Sequence, residues 1–192
     1  MYEILYATGN NIKFHQGQLV CKRYNIHLLQ NELDVPEIQS EDGVLIARDK
    51  AEKAFAKLQK PVIISDDSWS IPALKGFPGA YMKSMNHWLS VEDWLRLTQP
   101  LEDRRIILRQ IVVFQDTDVQ KVFSCNIEGV LLTEPSGKSI FPHAHIVSFD
   151  GGKHSTAEFH ERNESAAQHH RSVWDDVGEW YSNNYESSAS QS

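Results

Sequence analysis

Three short apolar runs separated by two helical stretches occupy the first 64 residues, and no other feature of the chain limits its fold as much. Glu3 to Ala7 reads as a short buried strand, which Thr8-Gly9-Asn10-Asn11 then breaks. A helix follows from about Ile12 to Tyr24, with Asn10 or Asn11 suited to cap its first turn. Ile26 to Leu29 reads as a second strand, and Leu33 to Ser40, which contains Pro36, as an extended or looped segment. From about Val44 to Leu58 the spacing turns helical. Ala47, Ala51, Ala54, Phe55 and Leu58 share one face, while Arg48, Lys50, Glu52, Lys53 and Lys57 face outward. Pro61 ends that helix, and Val62-Ile63-Ile64 is a continuous apolar run of the kind found in a buried central strand. Strands alternating with helices predict an α/β protein.

The remainder reads differently. Leu74 to Tyr81 is rich in Gly and Pro, and two short helices follow at about Tyr81 to His87 and Val91 to Leu97. Arg105 to Phe114 and Val119 to Ile127 are long strands, with Gln115-Asp116-Thr117-Asp118 as their hairpin turn. Pro135-Ser136-Gly137 marks another turn. Ala166, His170, Val173, Trp174, Val177 and Tyr181 line one face of a final helix, and a tail rich in Ser and Asn frays from about Ser182. The reading is one two-lobed domain with a mixed sheet over residues 1–182, followed by a flexible tail, 183–192.

Composition narrows the function class. Of 192 residues, 41% are hydrophobic and 23% charged, as in an ordinary globular protein. A formal net charge of −7 disfavours nucleic acid as a partner, since gripping a polyanion draws on clustered Lys and Arg. No apolar run approaches a membrane span, and no basic stretch and signal core precede the first strand. Two cysteines cannot make a disulfide framework, which points to a reducing cytoplasm.

Four places hold residues suited to chemistry. Thr8-Gly9-Asn10-Asn11-Ile12-Lys13 lies where a strand turns into a helix, and the free N–H groups and dipole of a helix N-terminus favour an anion there. Gly9 lets the backbone approach a ligand, Thr8 and Asn10 offer neutral donors, and Lys13 adds a charge. An ordinary capped helix with an exposed lysine has the same appearance. Ser65-Asp66-Asp67-Ser68 directly follows the Val62-Ile63-Ile64 run, where ligands of open α/β sheets bind. Adjacent carboxylates repel unless a cation or donors compensate, and hard oxygens suit Mg²⁺. A polar turn also uses such residues. Glu37, in Val35-Pro36-Glu37-Ile38-Gln39, carries weight only if the fold brings it to the two aspartates. His169-His170-Arg171 offers a planar phosphate clamp in Arg171, whereas His170 also fits as a packed core histidine on the helix's apolar face.

Taken together and in order, these pieces resemble the inosine triphosphate pyrophosphatases and the related pyrophosphatases of non-standard purine nucleoside triphosphates. The resemblance runs from Ile4 to about Tyr181. It is carried by Ala7-Thr8-Gly9-Asn10-Asn11-Ile12-Lys13, by Val35-Pro36-Glu37-Ile38-Gln39, and by Ser65-Asp66-Asp67-Ser68 with Ala73-Leu74-Lys75-Gly76-Phe77-Pro78-Gly79-Ala80-Tyr81 behind it. It implies an elongated, two-lobed α/β fold with a central mixed sheet, helices on its flanks and a cleft between the lobes, usually as a homodimer. It also implies Mg²⁺-dependent hydrolysis of a nucleoside triphosphate to monophosphate and pyrophosphate. Thr8, Gly9, Asn10, Asn11 and Lys13 would then hold phosphates, Glu37 and Asp66 would help bind Mg²⁺, and Asp67 would act as general base or metal ligand. Ser68, His170 and Arg171 would touch the nucleotide.

The chain departs from that pattern in two places. The family's aromatic-glycine-aromatic-aspartate-proline motif aligns with Phe141-Pro142-His143-Ala144-His145, so Phe141 is kept, Ala144 replaces the aspartate and His143 replaces an aromatic residue lining the base pocket. A family lysine upstream of the His-Arg pair finds only Arg162 nearby. Both changes fall on base recognition. They leave open a pyrophosphatase for another modified nucleotide, or a nucleotide-binding or regulatory protein that has lost catalysis. The histidines crowding this stretch suggest a further idea, because His143 and His145 on a strand would point to one side and hold zinc. The other spacings, however, match no zinc motif.

Overall fold

The computed structural model describes residues 2–162, 164 and 171–184. Strand β1 (Tyr2–Ala7) leads into helix α1 (Asn11–Cys21), whose last turn tightens to a 3₁₀ turn at Lys22–Tyr24. Asn25, in the left-handed region, turns the chain into β2 (Ile26–Asn31). Helix α2 (Gly43–Leu58) is capped at its start by the Asp42 carboxylate, which accepts from the Val44 N–H, and is closed by left-handed Gln59 ahead of Pro61. Strand β3 (Val62–Ser70) comes after it. Next come β4 (Pro78–Gly79), α3 (Met82–Trp88), α4 (Val91–Thr98), β5 (Arg105–Gln115), β6 (Gln120–Leu131), β7 (Val147–Ser148), α5 (Thr156–Glu161) and α6 (Val173–Asn184). The strands are hydrogen-bonded in the order β2-β1-β3-β5-β6-β7, with β4 also on β3. β1 is parallel to both β2 and β3, whereas β4 and β7 run antiparallel to their partners, so the sheet is mixed.

The α/β expectation holds, and most elements fall within a residue or two of their sequence-based positions. One difference bears on function. The Ser65-Asp66-Asp67-Ser68 tetrad is not a turn after β3 but the middle of that strand, which runs on to Ser70. The final helix begins at Val173, so Arg171 precedes it.

The chain divides into two compact units. The first comprises residues up to Asp66, Gln110–Cys125 and the segment from Ser172. Alternate residues of β3 feed two apolar layers here, as the strand period requires. Ile63 packs with Ile4, Tyr6, Cys21, Val173, Trp174 and Val177 toward α1 and α6. Val62 and Ile64 pack with Ala47, Ala51 and Ala54 of α2. The second unit comprises Asp67–Arg109 and Asn126–Arg171. Within it the Gly-Pro run after β3 makes a 3₁₀ turn at Pro72–Leu74, passes through left-handed Lys75, and returns as β4 so that Trp69 pairs with Gly79. Cys21 and Cys125 are not joined in a disulfide. Among the described residues no helix is long and apolar enough to cross a membrane.

Candidate active site

The parallel pairing of β1 and β3, with Tyr6 opposite Ile63, sets the carboxyl edge of β1 beside the middle of β3, which runs on to Ser70. Ligands of open α/β sheets bind beyond such an edge. Thr8 to Lys13 extend from the end of β1 at that edge. The Asn10 side-chain oxygen accepts from the N–H groups of Ile12 at 3.0 Å and Lys13 at 3.1 Å, so Asn10 is the cap and Asn11 the first helical residue. Thr8 Oγ1 accepts from the Asn10 N–H at 3.1 Å, and Gln30 Nε2 donates to both Thr8 O and Asn11 Oδ1. The loop's shape is thus set by its own side chains. Lys13 is half-buried in a first turn that holds no acid. A cation there opposes the helix dipole, an arrangement that an anion in front of the helix would offset.

The middle of β3, just past its pairing with β1, supplies the acids. Ser65 Oγ meets the hydroxyl of Tyr6, which is fully buried, on the α1 side of the strand. Asp66 is on the opposite, α2 side, where its carboxylate lies 3.6 Å from Lys50 Nζ. Lys50 Nζ also donates to Glu37 Oε1 at 2.9 Å. Glu37 is therefore brought to Asp66, the condition on which its weight depended, and the residue that joins them is one the helical pattern had facing outward. Lys50 is only 18% exposed. Its signal in the sequence was its position between Ala47 and Ala51 on the buried stripe of α2, close to Ile46 and Ala54. Lys53, three residues on, does belong to the outer face, paired with Asp49 at 2.6 Å and the Pro36 carbonyl at 3.1 Å.

Two carboxylates converging on one cation make a donor set suited to a hard metal, since Mg²⁺ takes one or two carboxylates and leaves other positions for water and phosphate. Among the described residues no group of three acidic, His or Cys side chains is placed to hold a metal.

The residues assigned to the base lie in the second unit. Pro142–His145 form a 3₁₀ turn, not a strand, so His143 and His145 do not share a side as a zinc pair would. His143 is buried. Its Nδ1–H donates to Asn86 Oδ1 at 2.7 Å, and its ring lies edge-on to Trp69 at 5.0 Å and near Phe141 at 6.2 Å. Burial lowers its pKa to about 3, with His160 and His145 adding to the effect, so the ring is neutral. His145 Nε2–H donates to the Ser139 carbonyl, and His160 Nδ1 is 3.0 Å from the Ser139 hydroxyl. Arg162 is exposed, 3.3 Å from Glu164, and stacks on the Phe159 ring at 4.9 Å. Ser68 is half-buried on β3 and Arg171 is exposed, while His170 lies outside the described residues.

A mixed α/β sheet with a lysine-bearing helix N-terminus after β1 and two adjacent acids on β3 places this chain among the α/β proteins with features suited to phosphate and a hard metal. The chain belongs to the Ham1 family, whose model matches residues 4–180. It is 31% identical to a dITP/XTP pyrophosphatase of Methanopyrus kandleri, over 95% of this chain and 97% of that one. To a dITP/XTP pyrophosphatase of Methanosarcina mazei it is 28% identical, over 94% and 98%. The fold is that of a HAM1 protein from Coxiella burnetii, with a TM-score of 0.75 at 19% identity, covering 95% of this chain and all of that one.

Proposed function

We propose that this chain hydrolyses nucleoside triphosphates with non-standard purines, dITP and XTP among them, to the monophosphate and pyrophosphate. The observations that carry the reading are the anion-ready helix start that follows β1 and the Glu37-Lys50-Asp66 cluster on the stretch of β3 just past its pairing with β1. The names of the relatives that match almost end to end supply the substrate class.

The triphosphate is held by the N–H groups that open α1, by the Thr8 and Asn10 side chains and by Lys13. Gly9 and Asn11 belong to the same cradle. Glu37 and Asp66 hold magnesium, which when bound supplies positive charge to the phosphate oxygens. Asp67 orients or deprotonates the water that attacks the α-phosphorus in line, and pyrophosphate leaves. Lys13 and Lys50 stabilise the charge that gathers on the phosphates, the largest expected source of acceleration. On the resemblance, Ser68, Phe141, His143, Arg162, His170 and Arg171 serve the nucleoside. A homodimer and a cytoplasmic setting belong to the same reading.

The test is pyrophosphate release with Mg²⁺ across inosine, xanthosine, common purine and pyrimidine triphosphates, as ribose and deoxyribose forms. Release from dITP or XTP, abolished by chelator and by Asp67→Asn, is the expected result. Binding without release from any member would favour a nucleotide-binding protein that has lost catalysis. Turnover surviving in Asp67→Asn would remove Asp67 from its role.

A further inference from the structure

The Lys50 ammonium lies within 4.0 Å of two carboxylates. It is 2.9 Å from Glu37 and 3.6 Å from Asp66, with its stem between buried residues of α2. Both acids are among those assigned above to magnesium, so the inference rests on that reading. Two carboxylates drawn to one point repel unless a cation sits between them. In the protein alone, Lys50 supplies a cation that reaches both.

An ammonium and a divalent ion cannot share the position, because the repulsion between them at about 4 Å is of order 2 kcal/mol even in water. The ammonium, however, rides on four flexible carbons and can move to another anion without moving the helix. We propose that Lys50 is the resting counter-ion of Glu37 and Asp66, and that a divalent metal and a triphosphate together displace it, the metal taking the carboxylates and the phosphates taking the ammonium. Metal and nucleotide then bind with positive coupling, each tightening the other by the same factor. Metal alone binds weakly because it must evict Lys50, and the magnesium site is complete only when substrate has given that lysine somewhere to go.

The test is Mn²⁺ binding to the intact protein without nucleotide, followed by electron paramagnetic resonance. Lys50→Gln is expected to bind Mn²⁺ about tenfold more tightly than the natural protein. Lys50→Arg, which keeps the cation, and Lys53→Gln, which removes a neighbouring one, are expected to match the natural protein. Equal or weaker binding by Lys50→Gln, or no Mn²⁺ binding by any of the four proteins, overturns the proposal. Should Lys50→Gln fail to fold, acylation of the natural protein followed by mass spectrometry decides the matter. Mn²⁺ is expected to speed labelling of Lys50 and not of Lys53, and an unchanged Lys50 rate overturns the exchange. The two proposals fail separately. The Mn²⁺ pattern with no turnover of any triphosphate would sink the proposed activity alone, and chelator-sensitive turnover without the Mn²⁺ pattern would sink the exchange alone.

Discussion

A Cβ added at Gly9 would meet nothing within 4 Å, and Gly9 is not among the residues with positive φ. The fold therefore has no need of glycine there, in keeping with the ligand approach proposed above. Gly9→Ala should keep stability within about 0.5 kcal/mol while raising KM for the triphosphate about tenfold, equivalent to ~1.4 kcal/mol of binding. Titration of unfolding and of initial rates on one preparation checks both, and lost stability with unchanged KM would contradict the assignment. Lys13→Ala should likewise weaken triphosphate binding with little effect on the fold. The helix start at these residues was legible in the sequence, because a capping asparagine acts through backbone geometry that local order dictates. Lys50 was legible only as a position on the buried Ala47-Ala51 stripe. Its partners are 13 and 16 residues away, and the fold alone brings them to it.

At the scale of elements, α1 and α6 approach so closely that two positions admit only glycine. A Cβ at Gly17 would come within 2.8 Å of the Trp174 ring, and one at Gly178 within 2.2 Å of Tyr24. Gly17→Ala and Gly178→Ala gain helix propensity, but each overfills the interface, at a cost of about 1–3 kcal/mol. Net destabilisation in urea unfolding is expected for both, and a stabilised variant would contradict this account of the packing. Helix and strand periods made most elements readable, including the two short helices α3 and α4. The strand period also extends through the Ser65-to-Ser68 tetrad, but four polar residues after three apolar ones look like a turn. The strand nonetheless continues, because β3 lies between β1 and β5 in the sheet and β4 folds back onto Trp69 and Ser70 beyond the tetrad. The 3₁₀ turn at Pro142–His145 was missed for a similar reason. Two histidines flanking an alanine carry no local sign of their backbone, and burial of His143 against Trp69 and Asn86 decides it.

For the whole molecule, the buried His143 makes stability depend on pH. Its pKa is about 3 in the folded protein, against roughly 6.5 when unfolded, so between those values the unfolded chain binds the extra proton. Its contribution is therefore complete above about pH 6.5 and is lost as pH falls toward 3. His160, whose pKa is also lowered, by burial first and then by His145, acts in the same direction. Tm measured from pH 7.5 down to 4.5 should fall, and His143→Phe should flatten the slope, whatever its starting stability. An unchanged slope would place the acid sensitivity elsewhere. The α/β class could be read before any coordinates, because it derives from ordered patterns near the first three strands. The surroundings of His143 could not, because its aromatic and histidine contacts within the second unit are far apart in sequence. The central claim is attack on the α-phosphorus with pyrophosphate as leaving group, and hydrolysis of dITP in ¹⁸O-labelled water tests it most directly. The account predicts the label in the monophosphate and none in the pyrophosphate, while label in pyrophosphate or in free phosphate would contradict it.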